Sequence, residues 1–322
     1  MSPRRPVLLA TLLLLLPLGG CAIHITPVGD RTRAPRPLSP EVAKRFEYER
    51  IGQAVLKPLE ETDEAVISSA TLLVKIPGDV GPTTVQFQWW QSRHPGRRPL
   101  VVVTPILGGG EALARACVEA FVEAGMHVAM VERGPRILAP HWGIEEVERY
   151  LRRGIASRRA VLDWAETRSD VDTDRMAAFG ISMGGIVTSV LLAAEPRFAC
   201  GVVALAGGDL PCLLRYSTEG RLVRWREARS ELLGISEAEV EARLRHALPS
   251  DPCALAPAVD PRRVMFVTTR WDTIVPLANQ ELLWRAMGRP LRYDLPAGHY
   301  SGIVYLPFVL GRAVEWLEGQ FE

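Results

Sequence analysis

Ser182, Asp272 and His299 follow one another along the chain in settings suited to nucleophilic acyl transfer. Ser182 lies in Gly180-Ile181-Ser182-Met183-Gly184. The run before it, Arg175-Met176-Ala177-Ala178-Phe179, is short, mostly apolar and strand-like, and Gly185 to Ala194 after it reads as a helix. A serine at such a junction is forced into a tight turn that exposes its hydroxyl. The flanking glycines remove side chains that would clash there, and the helix N-terminus favours negative charge developing at the oxygen. The pattern alone is a weak signal in a chain with 27 glycines, so residues further along must decide.

Asp272 comes after Val264-Met265-Phe266-Val267-Thr268-Thr269, a β-branched, apolar run typical of a buried parallel strand. His299 comes after Leu291-Arg292-Tyr293-Asp294-Leu295, in a Gly-containing loop able to carry an imidazole over the sheet edge. Ser182 alone is a poor nucleophile. His299 would take its proton and later protonate the leaving group, while Asp272 would hold the imidazole in the right tautomer. Asp209 is a rival acid, because Ala206-Gly207-Gly208-Asp209 directly follows the strand expected at 201–206. Asp294 lies within a strand pattern, and Asp251 reads as a helix cap before Pro252. His141 and Trp142, on a long loop, either line the pocket or anchor that loop.

These residues resemble the α/β-hydrolase superfamily over about residues 66–320. The resemblance is carried by Gly180-Ile181-Ser182-Met183-Gly184-Gly185, by Arg270-Trp271-Asp272-Thr273-Ile274-Val275-Pro276 and by the Gly298-His299 loop. The stretch Asp170-Val171-Asp172-Thr173-Asp174-Arg175 is similar to the branch holding dienelactone hydrolases, acetyl xylan esterases and prolyl oligopeptidase-like enzymes. The likeness implies a serine hydrolase that forms an acyl-enzyme on a small-molecule ester, with no cofactor and no metal. Asp272 has the fuller local match as its acid. The oxyanion donors it implies are the Met183 N–H and one from the loop Pro105-Ile106-Leu107-Gly108-Gly109-Gly110, with Leu107 first and Ile106 next. Many family members have His-Gly at the start of that loop, whereas this chain has Pro105-Ile106.

The elements needed to position these groups are legible as alternating strand and helix, which predicts a mostly parallel sheet with helices on both faces. Strands are expected at about 66–76, 83–92, 100–104, 127–132, 175–180, 201–206, 264–269 and 291–295. Eight strands in this order match the full set of an α/β-hydrolase fold, and the first two should form an antiparallel edge. Helices are expected at 111–125, 145–168, 184–195 and near 304–319. Between them, residues of about 209–258 form an insert after the sixth strand, with helical patterns at about 219–234 and 236–248. Ser236 and Glu239 make a capping box at the second of these. This insert is expected to be a small helical lid, within a hydrolase domain spanning 66–322.

The N-terminus reads as a targeting segment. Arg4 and Arg5 precede an apolar core from Val7 to Leu16, too short to span a bilayer comfortably. Leu18-Gly19-Gly20-Cys21 resembles the bacterial lipobox, where cleavage leaves a diacylated Cys21. Residues 1–20 would then be a lipoprotein signal peptide, and Ala22 after the cysteine resembles lipoproteins sorted to an outer membrane, facing the periplasm. Residues 21–40 contain Pro27, Pro35, Pro37 and Pro40 and are expected to be a tether. Residues 41–65 are expected to carry a helix, since Tyr48, Ile51, Val55 and Leu59 recur at helical spacing.

Composition narrows the partners. The 38 basic and 37 acidic residues give a net charge of +1, and no basic stripe argues for nucleic acid. Beyond Cys21, Cys117 and Cys200 read as buried, Cys212 and Cys253 flank the insert as a possible oxidised pair, and no Cys/His spacing suggests zinc. Two competing readings stay open: a prolyl oligopeptidase-like peptidase, and a catalytically inactive binding module on the same fold.

Overall fold

The computed structural model describes residues 22–29, 31–106, 111–132 and 137–322. Cys21, Leu107 and the expected signal peptide lie outside the described residues. The strands are β1 (His24–Thr26), β2 (Glu49–Glu61), β3 (Ala65–Lys75), β4 (Thr83–Ser92), β5 (Arg98–Thr104), β6 (His127–Val131), β7 (Val171–Ile181), β8 (Cys200–Ala204), β9 (Val264–Thr269) and β10 (Leu291–Leu295). The helices are α1 (Pro40–Lys44), α2 (Glu111–Glu123), α3 (Glu145–Ala165), α4 (Met183–Ala194), α5 (Leu210–Tyr216), α6 (Gly220–Leu233), α7 (Glu237–Ala247), α8 (Pro252–Leu255), α9 (Leu277–Ala286) and α10 (Leu306–Phe321).

All ten strands join one sheet in the order β1-β10-β9-β8-β7-β5-β6-β4-β3-β2. The strands from β6 to β10 in that order pair in parallel, and β2, β3, β4 and β1 pair antiparallel at the two flanks. The central strands are buried along their whole length, which is why they read as continuous apolar runs rather than alternating ones. Because the strand order reverses at β5, right-handed crossovers place helices on opposite faces. Side chains of α3, α4 and α9 fill one core, including Leu151, Ile155, Val190 and Leu283. Side chains of α2 and α10 fill the other, including Phe121 and Leu317. This is an α/β fold with a mostly parallel sheet, and the crevice at the carboxyl ends of such strands, near a reversal of order, is where ligands bind.

Three expectations are corrected. Among the described residues the sheet has ten strands rather than eight, because β1 and β2 extend it at either edge. Residues 41–65 are mainly a strand, not a helix: helix α1 lasts only five residues, and β2 then pairs antiparallel with β3. Pro58 would break a helix interior, whereas on an edge strand its missing N–H costs little. Gly52, at φ 71°, lies in the first of two irregularities that bend β2 along β3. Residues 22–29 and 31–40, finally, lie against the domain instead of hanging free as a tether. β1 pairs with β10, Gly29 N–H donates to the Arg289 carbonyl, and Arg36 N–H donates to the Pro257 carbonyl. An open sheet edge offers unpaired backbone groups, and this segment satisfies them.

The insert after β8 is helical where expected. Ser236 and Glu239 form the reciprocal capping box of α7. Trp225 on α6 donates its indole N–H to the Trp142 carbonyl at 3.0 Å, and Arg229 donates to the Pro140 carbonyl. Trp142 therefore ties its loop to the insert while also lining a small apolar cavity beneath it, and His141 is exposed to solvent.

Candidate active site

Ser182 occupies the turn between β7 and α4 at φ 57°, ψ −122°, a conformation unfavourable for a residue with a side chain. Its N–H is held by the Ala204 carbonyl of β8 at 2.8 Å. The neighbouring glycines are a packing requirement. A Cβ at Gly184 would collide with the Thr104 carbonyl of β5, and one at Gly180 with the backbone of Gly184. The turn is thus clamped between three adjacent strands. Arg158, buried on α3, donates to the Thr104 hydroxyl at 2.7 Å and fixes the end of β5, where the loop to Ile106 departs.

His299 lies on the turn after β10, braced by Gly298 N–H donating to the Ser301 hydroxyl at 2.9 Å. Its Nε2 is 2.9 Å from Ser182 Oγ, and its Nδ1 is 2.7 Å from Asp272 Oδ2. Asp272 follows β9 with a fully buried carboxylate. Four further donors fix it: the N–H groups of Ile274 and Val275 on Oδ1, and the Thr269 hydroxyl and Gln280 side-chain amide on Oδ2. Gln280, on α9, also donates to the Val275 carbonyl at 2.7 Å. The sequence reading did not single out Gln280 or Thr269. A lone glutamine on a helix carries no spacing that points to a carboxylate in the preceding loop.

The rival acid is elsewhere engaged. Asp209 caps α5 and pairs with Arg245 of α7 at 2.8 Å. Asp294 pairs with Arg270 at 2.9 Å, and Asp251 caps α8 while accepting from the N–H groups of Asp209 and Leu210. Cys117, Cys200, Cys212 and Cys253 are all free thiols. Burial pushes the thiols of Cys117, Cys200 and Cys253 up to about 12, so they stay protonated at neutral pH.

Ser182 and His299 open into a cavity of about 590 Å³. Its walls are mainly apolar, among them Leu205, Leu213, Leu222, Val275 and Leu306. Glu219 and Arg221, at the start of α6, also line it, and the Glu219 carboxylate accepts from the N–H groups of Arg221 and Leu222. Ile106 and Met183 line the same space, and Met183 begins α4, where backbone N–H groups have no intrahelical acceptor. Among the described residues no group of three or more His, Cys, Asp or Glu side chains is placed to hold a metal ion.

A parallel sheet that delivers a strained serine from β7 and a histidine from beyond β10 to one crevice is the arrangement of an α/β-hydrolase fold. Its residues 141–294 match the model of the prolyl oligopeptidase family, a span that includes Ser182 and Asp272 and ends before His299. Among solved structures, an acetyl xylan esterase from Paenibacillus sp. R4 superposes with a TM-score of 0.65 at 16% identity, covering 87% of this chain and 91% of that one. Acetyl xylan esterase 1 from Thermoanaerobacterium sp. JW/SL YS485 gives 0.61 at 14% identity, covering 90% and 96%. A cold-adapted esterase from an Arctic intertidal metagenomic library gives 0.54 at 14% identity, covering 83% and 98%. The uncharacterized protein YdjC of Bacillus subtilis (strain 168) is 36% identical over 55 residues, 17% of this chain and 47% of that protein. The chain thus spans about half the length of that curated relative.

Proposed function

We propose that this chain hydrolyses carboxylic esters through Ser182, His299 and Asp272, and that it works at a bacterial membrane held by lipid on Cys21. The observation that carries the reaction is the continuous relay from Ser182 Oγ to His299 Nε2, and from His299 Nδ1 to Asp272 Oδ2, at the wall of an apolar cavity. His299 takes the Ser182 proton as the oxygen attacks the ester carbonyl. Asp272 keeps the Nδ1 proton in place and stabilises the imidazolium. The tetrahedral oxyanion is met by the Met183 N–H and by a donor from the loop after β5, Leu107 or Ile106. Loss of one such donor costs about 10²–10³ in rate. His299 then protonates the departing alcohol, and a water activated by the same imidazole cleaves the acyl-enzyme.

A peptidase is the second reading, favoured by the match to the prolyl oligopeptidase family. Parallel assays with p-nitrophenyl esters of rising chain length and with aminoacyl p-nitroanilides separate the two. The esterase reading expects turnover of the esters and little of the anilides, and the reverse preference would replace it.

The anchor reading rests on Leu18-Gly19-Gly20-Cys21 after a short apolar core, with Ala22 favouring an outer membrane. One acyl chain binds a bilayer only marginally, at about 0.8 kcal/mol per buried CH₂, so the multiple chains of a lipoprotein cysteine are what make attachment stable. Wild-type protein is expected to incorporate labelled palmitate, and Cys21→Ser to leave the membrane pellet. Absence of label in the wild type would remove this part of the proposal.

A further inference from the structure

We infer that the rim of the catalytic cavity docks on a lipid bilayer, so that esters enter the site from the lipid phase rather than from water. This rests on the esterase and anchor readings above and adds the orientation of the enzyme on the membrane.

The first observation is where the chain enters the fold. β1 runs antiparallel to β10, with His24 opposite Asp294 and Thr26 opposite Arg292. β10 and β9 are parallel, and the residues beyond their carboxyl ends include His299 and Asp272. An antiparallel neighbour therefore begins at the catalytic end of the sheet. The Ala22 carbonyl accepts from Arg270 at 3.0 Å, and Arg270 directly precedes Trp271 and Asp272. Cys21 is the next residue toward the N-terminus, and one residue of chain reaches only about 4 Å. Acyl chains on Cys21 would hold this edge of the site at the membrane surface.

The second observation is independent of the first, because it concerns side chains rather than backbone pairing. Trp271 is 61% exposed, Tyr300 70%, Ile303 57% and Val304 76%. Tyr300 and Ile303 line the cavity that holds Ser182 and His299, and Val304 follows in the same short helical turn. The Trp271 backbone N–H donates to the Ala297 carbonyl at 3.0 Å, which sets Trp271 beside the turn that carries Tyr300. Single exposed apolar residues are ordinary, but a cluster around a cavity mouth marks an interaction surface. Tryptophan and tyrosine suit a membrane interface, with apolar bodies and polar tips. Arg270, between Ala22 and Trp271, pairs with Asp294. A bilayer seated here would face the apolar cavity directly.

Two readouts on full-length acylated protein in phosphatidylethanolamine–phosphatidylglycerol vesicles test the docking. Of the eight tryptophans, Trp271 alone is exposed, so brominated phospholipids report on it. Wild-type fluorescence is expected to be quenched and Trp271→Phe fluorescence to be spared. Vesicle-bound wild type without quenching would overturn the inference. The second readout compares soluble p-nitrophenyl butyrate with a long-chain umbelliferyl ester dissolved in the vesicles. The Trp271→Glu/Val304→Glu double variant is expected to keep the soluble activity within twofold and to lose the vesicle activity at least tenfold. An equal fall on both substrates, or no fall on either, contradicts docking. Wild type inactive on both esters would instead sink the esterase reading, while the quenching result would still decide the orientation.

Discussion

Arg245 on α7 holds the carboxylate of Asp209 at 2.8 Å, directing the rival acid into the helical insert. Two carboxylates thus follow neighbouring strands, and their partners separate their work. Asp272 accepts from His299 Nδ1 and four other donors in a fully buried position, whereas Asp209 caps α5 and joins it to α7 within the insert.

Asp272→Asn is therefore expected to lower kcat by on the order of 10⁴, because the amide favours the wrong imidazole tautomer. Asp209→Asn keeps the side-chain cap and loses one partly exposed ion pair, so kcat is expected to fall by less than about tenfold, in line with the modest energy of such pairs. Steady-state kinetics on one ester would reveal the order, and a larger loss at Asp209 would move the acid to the end of β8.

Gly184→Ala is expected to abolish soluble, folded protein or to displace the serine turn. The added methyl would meet the Thr104 carbonyl, which is rigid strand backbone rather than a movable side chain. Circular dichroism and fluorophosphonate labelling of the purified variant would detect either outcome. A folded variant with wild-type labelling would show that the turn tolerates a Cβ.

A second expectation concerns stability and pH. Burial acts to raise the Glu195 carboxyl, but hydrogen bonds from Arg197 and Arg159 outweigh it and leave it below the ordinary range. Arg197 also bonds Asp163, which accepts the Tyr48 hydroxyl at 2.6 Å, so the network ties the segment before β2 to the core. A depressed folded-state value means that this stabilisation is complete above the ordinary glutamate value of 4.5 and disappears as pH falls through the folded value. Glu195→Gln should lower stability by about 1.5 kcal/mol at pH 7, since the part-buried Arg159 and Arg197 each lose a charged acceptor, although Arg197 keeps Asp163 and Glu166. Urea melts at pH 7 and below pH 4 should show the gap between variant and wild type shrinking on acidification. A gap that is constant with pH would mean that the carboxylate charge does not matter.

The sequence made the meeting of Ser182, Asp272 and His299 legible because each sits beside a locally distinctive signal. Ser182 has its glycines and the helix start, Asp272 follows a six-residue buried strand, and His299 has a glycine turn. The parallel strands were equally readable, since burial on both faces demands continuous apolar runs. The edges were not. β2 is exposed over most of its length and is stabilised through backbone pairing with β3, so no apolar alternation announces it. Its few apolar residues fell at helical spacing, although Gly52 and Pro58 argued against a helix. β1 is three residues long and exists only because β10 presents an open edge. Gln280 was invisible for a related reason: its contact with Asp272 is made by the turn after β9, which places α9 against the carboxylate.

The central claim is that Ser182 attacks the ester, and its most direct test is covalent labelling of folded protein with a fluorophosphonate probe, followed by mass mapping. Wild type is expected to carry one adduct on Ser182, and Ser182→Ala, with an unchanged circular dichroism spectrum, to carry none. Full-strength labelling of the folded Ser182→Ala protein would contradict the assignment of the nucleophile and, with it, the reaction proposed for this site.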